Sequence, residues 1–159
     1  MHELHSHVVA RQALPPALRQ TGDAIAGATI DLLGQLACEF LICVGAEGDD
    51  LAADVGFDVI LETSEDDGSG NPAGWAAETD ARRYLGAIAD DGSDGQTDGI
   101  VLKLREGAGG KDYRFGYKGG KRFCRLRLVA IGTQDTGTVV GATAVLLPKL
   151  KPVAAQNGI

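Results

Sequence analysis

The sequence predicts an all-β fold, a single β-sandwich of jelly-roll-like or immunoglobulin-like type, and three observations predict it. Short apolar stretches alternate with polar residues at a period of two, the pattern of strands with one buried face. Glycine is abundant, at 23 of 159 residues against five prolines, which favours many turns over long helices. No segment carries a strong helical period. The length suits one ordinary domain, and a chain of roughly 150 residues buries enough surface to fold without a staple.

The elements follow in order. Residues 1–22 show no clean period, and Pro15-Pro16 breaks any helix there, so the segment reads as an extended N-terminal arm. The sandwich is expected over residues 23–148. Residues 24–33 form a first strand, and the apolar run 38–44 a second. In residues 55–63, Val55, Phe57, Val59 and Leu61 point one way, and Gly56, Asp58, Ile60 and Glu62 the other.

Residues 64–99 read as an acidic loop insertion. Ser64-Glu65-Asp66-Asp67-Gly68-Ser69-Gly70-Asn71-Pro72 is a loop, residues 75–89 hold a short helix or strand around Tyr84, Leu85 and Ile88, and residues 90–99 are a second loop.

Strand pattern then returns. Ile100, Leu102 and Leu104 alternate with Val101, Lys103 and Arg105. Tyr113, Phe115 and Tyr117 share a face, and in residues 123–131 Cys124, Leu126, Leu128 and Ala130 oppose Phe123, Arg125, Arg127 and Val129. Residues 138–147 form the last strand, Pro148 ends it, and residues 149–159 are a C-terminal tail. Seven to eight short strands with Gly-rich turns define the sandwich.

Charge and composition narrow the function. The formal net charge is −7, so general nucleic-acid binding, which needs a surplus of Lys and Arg, is not expected. The N-terminus lacks the pattern of a signal peptide, and no apolar run reaches the roughly 18 residues of a membrane span, so no membrane partner is expected and synthesis is placed in the cytoplasm. Cys38, Cys43 and Cys124 sit in apolar runs without metal-ligand spacing and read as buried free thiols.

Few residues invite chemistry. His2, His5 and His7 are the only histidines, crowded at the terminus without supporting ligands, so neither a metal site nor the usual general base of a hydrolase is expected. Gly68-Ser69-Gly70 with Gly74 lacks phosphate-loop spacing. Residues 46–98 hold fifteen of the 22 acidic residues. Asp90, Asp91, Asp94 and Asp98 offer oxygen ligands for Ca²⁺, but solvated loops are the simpler reading. No catalytic residue and no cofactor is expected. Residues 111–127 are basic, with Arg122, Arg125 and Arg127 among seven cations; this reads first as the outward face of a sheet and second as a dock for an acidic protein.

The run Tyr113-Arg114-Phe115-Gly116-Tyr117-Lys118-Gly119-Gly120-Lys121-Arg122-Phe123 is followed by Gly132-Thr133, Thr136-Gly137 and Val140-Gly141-Ala142, with an apolar strand ending near Pro148. With the short stretch from Val8 to Leu14, this order resembles a family of head structural proteins of tailed bacteriophages with HK97-type capsids. The resemblance covers residues 8–14 and 100–152, and the acidic stretch 64–98 departs from it.

It implies a non-enzymatic capsid cement or decoration protein on the outer surface of the virion, bound to the major capsid protein and self-associating, as a trimer for example. The expected anchors are the arm (Val8, Val9, Arg11 and Leu14), the tail (Leu147, Pro148 and Lys149) and the face of Arg122, Arg125 and Arg127. A head–tail connector or tail component, and a carbohydrate-binding sandwich on the virion, are the rival expectations.

Overall fold

Each long strand of this chain has one face too apolar to leave in water, and the fold answers by laying two antiparallel sheets against each other. The structure, a computed structural model, describes residues 7–22, 24–47, 51–86 and 99–149. The strands are β1 (Val9–Arg19), β2 (Ala24–Ala26), β3 (Ile30–Asp31), β4 (Gln35–Glu47), β5 (Gly56–Ser64), β6 (Ala76–Ala77), β7 (Tyr84–Leu85), β8 (Ile100–Leu104), β9 (Asp112–Tyr117), β10 (Phe123–Ile131) and β11 (Thr138–Pro148). A 3-10 turn, Ala81–Arg83, precedes β7.

The first sheet has the order β1-β11-β4-β9-β7. The second has β2-β10-β5-β6, with β3 also pairing β10 and β8 also pairing β5. The all-β sandwich expected from the alternation is what the chain forms.

Between the sheets lie Leu14, Phe40, Ile42, Phe115, Tyr117 and Val140 from the first and Phe57, Leu61, Leu104, Leu126 and Leu128 from the second, all buried. The rings of Phe40 and Phe115, neighbours across β4 and β9, stack with centroids 5.1 Å apart. Side chains of this size each contribute about 1.5–3 kcal/mol when removed from water, which makes this layer the main source of stability.

Several expectations need correction. Residues 9–19 are not a detached arm: β1 pairs with β11 from Val9↔Leu146 to Arg19↔Thr138, and Ala13 and Leu14 enter the core. Pro15-Pro16 does exclude a helix, but its effect is a shift of register between Leu14 and Ala17. Proline has no N–H to donate, so it is tolerated on an edge strand and at such an irregularity. Gly141 opposite makes room for it, since a Cβ there would stand 2.9 Å from the Pro16 Cα.

Residues 24–33 form two short strands, β2 and β3, because the chain leaves the sheet between them, where the N–H of Ala28 donates to Ala13 of the first sheet. In β8 the simple alternation fails. A register shift opposite Val59/Ile60 brings Val101 into the core along with Leu104. Both parities of β5 are covered, since Ile60 and Glu62 are buried along with their inward neighbours.

The insertion 64–99 is a packed elaboration where it is described, with Glu78 and Tyr84 buried, and the helix-or-strand reading of residues 75–89 resolves into β6, the 3-10 turn and β7. Ile88 lies outside the described residues. Pro148 is the last residue of β11 itself, and the N–H of Lys149 still donates to the Gly34 carbonyl at 2.9 Å.

Candidate interaction surface

The two sheets turn very different faces outward. On the first, alternation along β4 and β11 buries Cys38, Phe40, Ile42 and Val44 with Val140, Ala142, Ala144 and Leu146. The opposite parity should be polar in a solvated antiparallel sheet. Instead Leu41 is 40% exposed, Val139 42% and Leu147 41%, joined by Leu18 of β1 at 54%. Leu18 pairs with Val139, and Leu41 with Thr143, so these side chains lie on one continuous surface across β1, β11 and β4.

A shallow groove of about 640 Å³ runs across it, lined by Gln12, Pro16, Cys43, Val139 and Thr143 among others. Cys43 is exposed and pairs with Asp112 across β4 and β9. The neighbouring Asp112 carboxylate, with some burial, raises the Cys43 pKa above the ordinary thiol value.

The outer face of the second sheet is polar and closed on itself. Glu62 of β5 receives Arg125 Nε at 2.7 Å on one oxygen, and Arg127 Nε stands 3.0 Å from the other. The Arg125 guanidinium also covers the Trp75 ring at 4.2 Å from its centroid. Arg122 grips Asp31 with two nitrogens, at 3.1 and 2.9 Å, and reaches Asp66 with a third.

Asp66 is itself organised by its loop, where Oδ1 accepts the N–H groups of Gly68 and Gly70. These donors and Arg122 hold the Asp66 carboxyl below its ordinary pKa, and Asp31 is lowered chiefly by its bond to Arg122. The basic face expected to dock an acidic partner is therefore already neutralised within the chain. Arg122 is held by Asp31 and Asp66, and Arg125 and Arg127 share Glu62.

A third polar cluster pins the insertion to the first sheet. The buried Glu78 side chain accepts Arg83 Nη1 at 2.9 Å and the Tyr117 hydroxyl at 3.2 Å, while the Tyr84 hydroxyl donates to the Glu78 carbonyl. Burial, reinforced by the nearby Glu78 charge, pushes both tyrosine pKa values well above the usual range. Gly120 belongs to this cluster for a steric reason: a Cβ there would stand 2.7 Å from the Arg83 guanidinium, which lies against it. The backbone φ of +137° at Gly120 is the stronger reason for a glycine at this position of the Lys118-Gly119-Gly120-Lys121 turn.

The expected anchors fall into three groups. Val9 and Leu14 are core residues, 6% and 2% exposed, and cannot serve as contacts. Their apolar character, read as adhesive, is the character of an inward strand face. Val8 is half-buried, Arg11 is exposed with its guanidinium on the Ala10 carbonyl at 3.1 Å, and Lys149 is exposed beyond β11.

Leu147 lies on the apolar outer face and Pro148 at the end of the same strand. Asp90, Asp91, Asp94 and Asp98 lie outside the described residues, as do His2 and His5. Among the described residues no group of three or more His, Cys, Asp or Glu is placed to hold a metal ion, and no helix is long and apolar enough to cross a membrane.

Leu18, Leu41 and Val139 escaped the sequence reading, although a signal for them exists. Leu41 and Val139 are aliphatic at the parity that alternation assigns to solvent.

Compared with known proteins, the chain matches no family model, no curated protein and no solved structure.

Proposed function

We propose that this chain is a non-enzymatic virion structural protein, a cement or decoration protein that binds the outer surface of a tailed-phage capsid and reinforces the lattice of the major capsid protein. One observation carries the reading: Leu18, Leu41, Val139 and Leu147 stand exposed on the outside of a sheet whose other face already packs the core. Covering such side chains is favourable by roughly 25 cal/mol per Å² removed from water, so the surface asks for a protein partner. The family resemblance in residues 100–152 supplies the identity of that partner.

The architecture suits contact through a face. The edge of the first sheet at β1 is interrupted by Pro15-Pro16, and the opposite edge strand, β7, has two residues. Short or proline-broken edges resist pairing with a further strand. The partner then meets the outer face rather than an edge.

Reinforcement follows from mass action. A protein that binds the assembled lattice and not the dispersed subunit stabilises the lattice, and many copies on a symmetric shell multiply a modest contact. Self-association around a local three-fold, giving a trimer, fits such a shell. On this reading the protein is made in the bacterial cytoplasm and ends on the capsid exterior.

A carbohydrate-binding role has less support. The indole of Trp75, the side chain best suited to stack on a sugar ring, is already covered by Arg125.

The test uses particles of the encoding phage prepared without this chain. Added protein should co-sediment with them and raise their resistance to heat and osmotic shock. The double variant Leu41→Asp/Val139→Asp should lose binding at least tenfold while keeping the parent melting temperature. Equal binding by that variant, or equal resistance of bare and decorated particles, would sink the reading. A small fixed copy number confined to the neck would instead place the chain in the head–tail connector.

A further inference from the structure

Within the basic run 111–127, Arg122, Arg125 and Arg127 are paired with acids, and two of the lysines are not. Among the described residues neither Lys118 nor Lys121 makes an ion pair. Both border a slot of about 150 Å³. The β9–β10 turn, from Tyr117 to Lys121, forms one wall, and Leu32, Gln35, Leu36 and Ala37 form the other.

The backbone holds both walls in place. The N–H of Leu32 donates to the Arg122 carbonyl at 2.8 Å, which ties the two turns together. The N–H of Lys118 donates to the Arg83 carbonyl, also at 2.8 Å. A site fixed in advance loses less order when it is filled.

Three features of the slot describe its ligand. The first is charge: two lysines without acids, in a chain of net charge −7, attract an anionic group. Among the described residues the N–H groups of Gly119, Gly120 and Lys121 make no hydrogen bond, so the same wall offers further donors. The second is an acceptor. Gln35 Oε1 is shut off from water and accepts no hydrogen bond, a state that is costly for a buried oxygen. A carboxylate has no proton to give it, whereas a peptide N–H has.

The third is size and place. At about 30 Å³ for each water, the slot holds roughly five, which is room for a carboxylate and its short stem. Leu36 is 57% exposed at its border, and Ala37 pairs with Leu147 of the apolar outer face. The slot therefore adjoins the surface already assigned to a partner.

We propose that this slot takes one acidic residue of a peptide segment of the protein partner. The carboxylate meets Lys118 and Lys121, a backbone N–H meets Gln35 Oε1, and a neighbouring apolar side chain packs on Leu36. The inference rests on the capsid reading only for the source of the segment. Because the test uses the isolated chain, its failure leaves capsid binding through Leu41 and Val139 undecided, and failure of capsid binding leaves the peptide result intact.

The probe is the peptide acetyl-Ala-Leu-Glu-Leu-Ala-amide, titrated into the full chain labelled with nitrogen-15 and followed by amide chemical shifts. Saturable shifts are expected at Gly119, Gly120 and Lys121 and at the Gln35 side-chain amide, with a dissociation constant in the millimolar range. The double variant Lys118→Gln/Lys121→Gln should keep the parent melting temperature and bind about fivefold more weakly or worse. The peptide with glutamine in place of glutamate should weaken to a similar degree on the parent chain. Absence of shifts at these residues at about 10 mM peptide would overturn the proposal, as would equal binding of the glutamine peptide. Shifts of the same size with inorganic phosphate would also overturn it, since the slot would then be a plain anion site without recognition of a peptide.

Discussion

The outer faces of the two sheets are built from the same strand geometry and serve opposite ends. On the second sheet, each outward arginine of β10 is matched to a carboxylate, and Trp75 and the loop from Glu65 fold over the edge. That face is finished by the chain itself. On the first sheet, the outward positions of β1, β4 and β11 carry Leu18, Leu41, Val139 and Leu147, which stay 40–54% exposed. A surface that satisfies itself contributes to folding, and a surface left apolar contributes only when something covers it. Mutation should separate the two cleanly, costing stability on the second sheet and binding on the first.

The largest effect on stability is expected at Glu62. Its side chain is 11% exposed and neutralises Arg125 and Arg127 together. Glu62→Ala leaves two guanidinium groups without an acid. Removing one partner of a buried pair costs 3–5 kcal/mol, and the partial exposure of the arginines reduces that here to about 2 kcal/mol. Urea unfolding monitored by circular dichroism reads the loss. Leu41→Asp on the other sheet should stay within about 0.5 kcal/mol of the parent in the same assay, as surface substitutions do. A loss at Leu41 as large as that at Glu62 would mean that the first sheet is covered by the chain after all.

Next in size is an alkaline effect centred on Glu78. The hydroxyls of Tyr84 and Tyr117 have pKa values raised above the unfolded tyrosine value of about 10. A group whose pKa is raised on folding contributes stability in full below the unfolded value and loses it as pH climbs above. The fold should therefore weaken steadily above about pH 10. Tyrosinate absorbance should rise late, in step with unfolding, for two of the three tyrosines. Tyr117→Phe should make the weakening shallower.

At the acid end the sign reverses. Asp31 and Asp66 have lowered pKa values, through Arg122 for the first and chiefly through the Gly68 and Gly70 amides for the second. Their contribution is present above the unfolded aspartate value of about 3.9 and is lost as pH falls through the folded values. Arg122→Gln should flatten the dependence of melting temperature on pH between about 5 and 2, and should do so mainly through Asp31. The effect is small, because both carboxylates are partly exposed and salt screens them.

These residues also show what was legible in the sequence. Apolar runs and alternation placed strands where β4, β5, β9, β10 and β11 form, and put Leu126 with Leu128 and Phe115 with Tyr117 on shared faces, because a period of two states which residues share a face. It does not state which face is inside. In β4, the run Phe40-Leu41-Ile42-Cys43-Val44 is apolar at both parities, so the exposed face at Leu41 reads like a fully buried strand.

Tertiary pairing was harder still. Pro15-Pro16 looked like the end of structure, yet Gly141, more than a hundred positions away, makes the space that keeps it in the sheet. Arg122 and the arginines of β10 looked like a basic patch because their partners, Asp31, Asp66 and Glu62, lie on other strands and loops. Charge read along a sequence counts ions; only the fold says which are already paired.

The smallest predicted effect uses Cys43 as a reporter of the open face. It is the exposed thiol among three, so alkylation of the native protein should show one fast site, with Cys38 and Cys124 silent in their buried positions. Asp112 holds the Cys43 pKa above the ordinary thiol value, so the fast rate should rise about tenfold per pH unit up to pH 9 without levelling off. Asp112→Asn removes the negative charge beside the thiol, lowers its pKa and should speed alkylation severalfold at pH 8 while leaving the fold unchanged. Because Cys43 lines the groove beside Val139, any partner that covers the apolar face should shield it. A chain bound to particles whose Cys43 reacts at the free rate would place the contact elsewhere, and would leave the aliphatic surface of the first sheet without an occupant.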